Sequence, residues 1–268
     1  MQPPSPSLSQ ATFAAAIVAT AVGSYVALSP PNPSAEPTAA PKETKEKLPD
    51  SDQRPTKTSP KDGHPDTIRS LALTHPIVAK ACLAPLGILS LHTAALALYF
   101  PFRIPGRLLG YAAVSPVGIN PDMISWSAAT ALPMAVILCA GLPLRLGPYS
   151  ALGRNFTFAL AKPDRLTTTG IYKYVQHPSY VGLVLTLMGN AALLWRQDGV
   201  LSCWVSPSWM ETLVRWKIIQ AFLDTGFVMG LWMLWKRTLE EEEMLKKAFG
   251  QEWEEWHAKT ARFIPGIF

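Results

Sequence analysis

Residues 176–195 read QHPSYVGLVLTLMGNAALLW. From Pro178 to Trp195 the stretch holds no charged residue, and the chain returns to charge at Arg196. A bilayer core about 30 Å thick is crossed by roughly 20 apolar residues at about 1.5 Å of rise each, so residues 178–195 are expected to form a spanning helix. Proline is favoured at the first helical position, where its missing N–H costs nothing, so Pro178 is expected to start that helix with His177 just before it.

Four further runs fit the same template: residues 11–29, 81–100, 123–144 and 218–235. Hydrophobic residues make up 49% of the 268-residue chain and charged residues 16%, well below the usual quarter, which argues against an ordinary soluble domain. The first run is expected to be an anchor. A secretory signal peptide is the alternative, and the lack of Lys or Arg before the run argues against cleavage. Residues 30–70, rich in Pro, Lys, Glu, Asp, Ser and Thr, read as a disordered linker. The expected division is an N-terminal transmembrane anchor over 1–29, the linker over 30–70 and a membrane domain over 71–268.

The net charge of +5 is modest, and its basic residues lie mostly between apolar runs, which favours anionic lipid headgroups over nucleic acid as a partner. Arg145, Arg154, Lys162, Arg165 and Lys173 lie between the third and fourth runs, and Lys236 and Arg237 follow the fifth, so that side is expected to be cytosolic. Arg103, Arg107 and Arg196, with Arg215 and Lys217, fall on the other side. Cys82, Cys139 and Cys203 show no metal-ligand spacing, so neither a disulfide framework nor a metal site is expected.

Beyond residue 235 the pattern changes. Leu234, Leu245, Phe249, Trp253 and Trp256 recur at helical spacing among Glu and Lys, as in a helix that leaves the bilayer and follows its surface. The expected fold is therefore all-α: a polytopic membrane helix bundle of about five transmembrane helices with a C-terminal cytosolic amphipathic helix.

Two clusters could carry chemistry. The start of the helix at Pro178 offers free backbone N–H groups and a positive dipole end to an anion, Ser179 and Tyr180 add hydroxyls, and Gly182 permits close approach of a ligand or a neighbouring helix. Arg237 and Glu241, four residues apart, share a helical face and can serve one pocket. Taken alone, the first is also a helix cap with an interfacial aromatic, and the run Glu240–Glu243 is also a solvated charged face. Asp224, ionisable within the fifth run, is either functional or paired with Lys217, Gln220 or Asn190.

The stretch TTTGIYKYVQHPSYVGLVL, followed after a hydrophobic hairpin by RTLEEEEMLKKAFGQEWEEW, resembles the isoprenylcysteine carboxyl methyltransferase family over roughly residues 150–268. The resemblance implies an integral membrane enzyme of the endoplasmic reticulum, its active site facing the cytosol. Such an enzyme uses S-adenosyl-L-methionine to methylate the C-terminal carboxylate of prenylated cysteine, with prenylated protein C-termini as partners, and it places the cofactor site within 154–268. Matched residue by residue, it implies cofactor contacts at Leu166, Tyr172, His177, Pro178, Ser179, Tyr180 and Glu241, and a catalytic, substrate-orienting role for Arg237. This chain departs from the pattern at Gln176, where an arginine is common, at Ala161, where a glutamine contacts the cofactor, and in a shorter loop between Asn155 and Gly170. A phospholipid N-methyltransferase, with a similar His-Pro element, and a non-enzymatic membrane protein of the same fold are the alternatives.

Overall fold

The computed structural model describes residues 5–29, 76–100, 104–114, 118–156, 162–215 and 217–266. The linker expected over 30–70 and Ala161 lie outside the described residues. Secondary structure among the described residues is helical throughout, apart from one isolated bridge described below.

Helix α1 (Leu8–Leu28) opens with a capping box. The Gln10 N–H donates to Ser7 Oγ at 3.3 Å and the Ser7 N–H to Gln10 Oε1 at 2.7 Å, so two N–H groups that a helix start leaves without partners are satisfied together. The same Gln10 side chain donates from Nε2 to the carbonyls of Ala97 (3.1 Å), Leu98 (3.2 Å) and Phe100. It thereby closes the end of helix α2 (Pro76–Tyr99), whose last carbonyls lack helical partners.

Helix α3 runs as Ala128–Val136, one π-helical turn over Ile137–Gly141, and Leu142–Leu152. It carries Pro133, Pro143 and Pro148, each lacking the N–H that an unbroken ladder needs. The wider turn sits where the Leu142 N–H reaches back five residues to the Ile137 carbonyl. This helix does not end at residue 144 as the hydrophobic run suggested. It continues for two more turns, so Arg145 is a buried helical residue rather than a loop cation.

Helix α4 (Pro178–Leu194) begins where the sequence placed it. It crosses α3 at backbone contact. A Cβ on Gly182 would fall 2.5 Å from the Arg145 nitrogen and 2.7 Å from the Gly141 carbonyl oxygen, and one on Gly189 would fall 2.5 Å from the Ile137 side chain. The space at Gly182 is therefore taken by a helix, the second of the two neighbours considered above. Gly182→Ala should destabilise the protein by about 1–3 kcal/mol through overpacking. Gly87→Ala, at a helical site with nothing within 4 Å, should not. Thermal denaturation of the two purified variants in detergent would compare them, and equal midpoints would contradict the packing argument.

After a short connection come α5 (Pro207–Arg215), α6 (Ile218–Phe249) and α7 (Gln251–His257). Helix α6 is continuous across residue 235, and the chain turns at Gly250, at φ 55°, between α6 and α7. Asp224 is exposed on α6 and accepts from Gln220 Nε2 at 2.8 Å, one of the pairings the sequence offered. Asn190 instead donates to Ser24 Oγ on α1 (2.9 Å) and to the Thr186 carbonyl (2.8 Å).

The core lies between α1, α2, α3 and α4, around Phe13, Ile17, Leu96, Ile137 and Leu194. The outer faces are apolar as well: Val22, Leu91, Leu132, Met188 and Phe222 are each at least half exposed. Among the described residues two helices are long and apolar enough to cross a membrane, Leu8–Leu28 and Pro121–Leu152, and Leu83–Tyr99 and Pro178–Leu194 are shorter apolar helices.

Candidate active site

The head of α4 and the middle of α6 meet on one side of the bundle. The Tyr180 phenol donates to Glu241 Oε2 at 2.8 Å, and His177 Nδ1 lies 3.8 Å from the same oxygen. On the other edge of the imidazole, Nε2 is 3.5 Å from Glu242 Oε1, too long for a strong hydrogen bond. The His177 and Tyr180 rings stack at 5.6 Å with planes 14° apart. Arg237, one turn before Glu241 and buried, lies close enough to the Tyr180 phenol to interact with it electrostatically. His177, Tyr180, Arg237 and Glu241 are thus brought together.

The four consecutive glutamates are not equivalent. Glu243 forms an exposed pair with Lys247 at 2.6 Å, the solvated arrangement expected of a charged face and worth little. Glu242 is buried and held by a two-pronged contact from Arg262, Nε at 2.8 Å and Nη2 at 3.0 Å. Burial alone would raise its carboxyl above the ordinary value, but the contacts from His177 and Arg262 outweigh burial and hold it below. Glu241 keeps about a third of its side chain exposed.

Tyr172 is buried on the turn Gly170–Lys173, and burial, with the Glu241 charge adding to it, pushes its phenol well above the usual range. Leu166 is half-buried on the irregular stretch before Gly170. Pro178 is buried at the helix start. Ser179 faces the bundle interior, where its Oγ accepts from Arg145 Nη1 at 2.6 Å, so the hydroxyl expected to serve an anion is engaged with α3.

Sequence reasoning missed three parts of this assembly. Arg145 was counted only as a charge, yet its Nε donates to the Ala27 carbonyl of α1 at 3.1 Å and its Nη1 to Ser179, tying the N-terminal helix to the head of α4. Gln176 is buried, and its amide donates to the carbonyl (2.9 Å) and hydroxyl (2.9 Å) of Thr260 and accepts from His257 Nδ1 at 2.8 Å. The C-terminal segment runs parallel to residues 174–177. Ala261 N–H donates to the Tyr174 carbonyl (3.1 Å), Gln176 N–H to Ala261 (2.8 Å) and His177 N–H to Arg262 (2.9 Å). The available signal was the His-Pro pair itself: proline commits the following residues to helix, leaving the preceding N–H groups to find partners elsewhere.

A family model described as the isoprenylcysteine carboxyl methyltransferase family matches residues 134–221, from within α3 through α4 to the start of α6. A protein-S-isoprenylcysteine O-methyltransferase of Schizosaccharomyces pombe is 31% identical over 134 residues, 48% of this chain and 47% of that protein. A probable protein-S-isoprenylcysteine O-methyltransferase of Oryza sativa subsp. indica is 24% identical over 203 residues, 74% of this chain and 83% of that one. A protein-S-isoprenylcysteine O-methyltransferase of Dictyostelium discoideum is 24% identical over 138 residues, 50% and 48% of the two chains. The match thus spans about half the length of the fission yeast and Dictyostelium relatives. No solved structure gives a significant match. The segment that carries the His-Pro-Ser-Tyr motif is thus similar to the isoprenylcysteine carboxyl methyltransferase family.

Proposed function

We propose that the protein is a membrane-embedded protein-S-isoprenylcysteine O-methyltransferase, which methylates the C-terminal carboxylate of prenylated cysteine in proteins processed at a CaaX end. The observation that carries this reading is the contact between Tyr180 and Glu241, which joins the start of one apolar helix to the polar continuation of another. The outward apolar side chains of α1 to α4 and α6 suit lipid tails. Even without Arg145, the cations Lys162, Arg165, Lys173 and Lys236 favour placing this end of the bundle in the cytosol, with the endoplasmic reticulum as the membrane.

The residues present fit S-adenosyl-L-methionine. Glu241, about a third exposed and held by the Tyr180 donor, is a ready partner for the ammonium group, and the positive end of α4 at His177 to Tyr180 suits the carboxylate. Tyr172 and Leu166 would border the same space. The cofactor supplies an electrophilic methyl group on a sulfonium. An α-carboxyl with a pKa near 3.5 is already ionised at neutral pH, so the chain need supply no general base for the acceptor. Arg237 would hold that carboxylate through its planar fork of donors and align it with the methyl group. Positioning of this kind supplies several kcal/mol of barrier reduction. The prenyl tail would lie among lipid-facing side chains, where its burial costs little.

Membranes containing the full chain, given a farnesylcysteine analogue and methyl-labelled cofactor, should form a product whose label mild alkali releases. Label that survives alkali would mark N-methylation and point to a phospholipid amine instead. No transfer and no cofactor binding would favour a non-enzymatic protein.

A further inference from the structure

The C-terminal segment beyond α7 lies against the residues that define the site. We propose that Arg262 is a positioning residue of the cofactor site: it acts through Glu242 on His177, and the segment around it forms a working wall of the pocket. The inference rests on the reading that Glu241 receives the cofactor's ammonium group.

His177 lies between two carboxylates from successive positions of α6, with Glu241 3.8 Å from one ring nitrogen and Glu242 3.5 Å from the other. Two negative groups so placed compete for the same imidazole and repel one another. Arg262 resolves the competition by engaging Glu242 with both prongs, at 2.8 and 3.0 Å, in the geometry a guanidinium offers a carboxylate. Glu241 is then the carboxylate left facing outward.

Arg262 fixes His177 a second time through the main chain, where its carbonyl accepts the His177 N–H at 2.9 Å. The guanidinium is braced from below by the Trp235 ring at 5.6 Å, and Phe263 packs 5.9 Å from the His177 ring. One short segment therefore sets the position and orientation of the histidine at the head of α4.

The test is equilibrium binding of labelled S-adenosylmethionine to the folded, monodisperse fraction of the full chain in detergent, alongside the acceptor KM. Arg262→Ala should weaken cofactor binding roughly tenfold, the effect of losing a charge-assisted hydrogen bond, and leave the acceptor KM unchanged. Arg262→Lys, a cation without the fork, should fall between this variant and the native chain. Adding Glu242→Gln to Arg262→Ala removes the stranded charge and should recover most of the affinity.

Native affinity in Arg262→Ala, or a double variant no better than the single one, overturns the proposal. So does a result in which Arg262→Ala loses folded yield and thermal stability while its folded fraction binds normally, since that is what a purely structural contact gives. If the native chain itself binds no cofactor, the functional reading falls and this inference with it; native binding with an indifferent Arg262 removes the inference alone.

Discussion

Arg237→Ala is expected to lower kcat/KM for carboxyl methylation at least about a hundredfold, while labelled cofactor still binds. The acceptor carboxylate loses negative charge as it attacks the methyl group, so a cation beside it stabilises the reactant more than the transition state. On the proposed mechanism Arg237 would therefore act by orientation, holding a nucleophile in line with the sulfonium from its buried place one helical turn before Glu241. Charge alone does not supply this. Arg237→Lys should consequently recover little activity, because a point charge cannot hold the carboxylate plane. A farnesylcysteine analogue titrated against each purified variant gives the answer, and near-native turnover in Arg237→Ala would remove the arginine from the mechanism.

Glu241→Ala should weaken cofactor binding roughly a hundredfold, at the upper end for a hydrogen bond to a charged group. The partly exposed carboxylate has the Tyr180 phenol as its donor, and its other lone pairs suit an ammonium ion. Glu241→Gln separates two contributions, since the amide oxygen can still accept from Tyr180 but carries no charge. If charge attraction dominates, the glutamine variant binds as poorly as the alanine variant. Calorimetry with S-adenosylhomocysteine would show this, and a Glu241→Gln protein of native affinity would reassign the residue to a structural role.

Much of the helix order was legible because apolar run length and proline placement are local properties. Pro178 starts α4 as a helix-initiating proline should, and Leu8–Leu28 lies close to the run first identified. The end of α3 was not legible from hydropathy, because Arg145 reads as a loop cation until its partners are known. Those partners, Ala27 and Ser179, lie 118 and 34 residues away, and no periodicity encodes a contact of that separation. The same holds at the site. Helical spacing put Arg237 and Glu241 on one face, and their neighbours followed from the placement of α4. The division of labour between Glu241 and Glu242 depends on Arg262, which a charge run cannot announce.

Helix α1 is tied to the bundle by Ser24 to Asn190, Ala27 to Arg145 and Gln10 to the end of α2. A ribosome makes Ser24 first and Asn190 166 residues later. The N-terminal helix must therefore wait, its polar side chains provisionally satisfied, until the far end of α4 has been synthesised and delivered to it. Closure of the bundle around α1 is thus a late event in biogenesis, set by the return of an early helix to a late one.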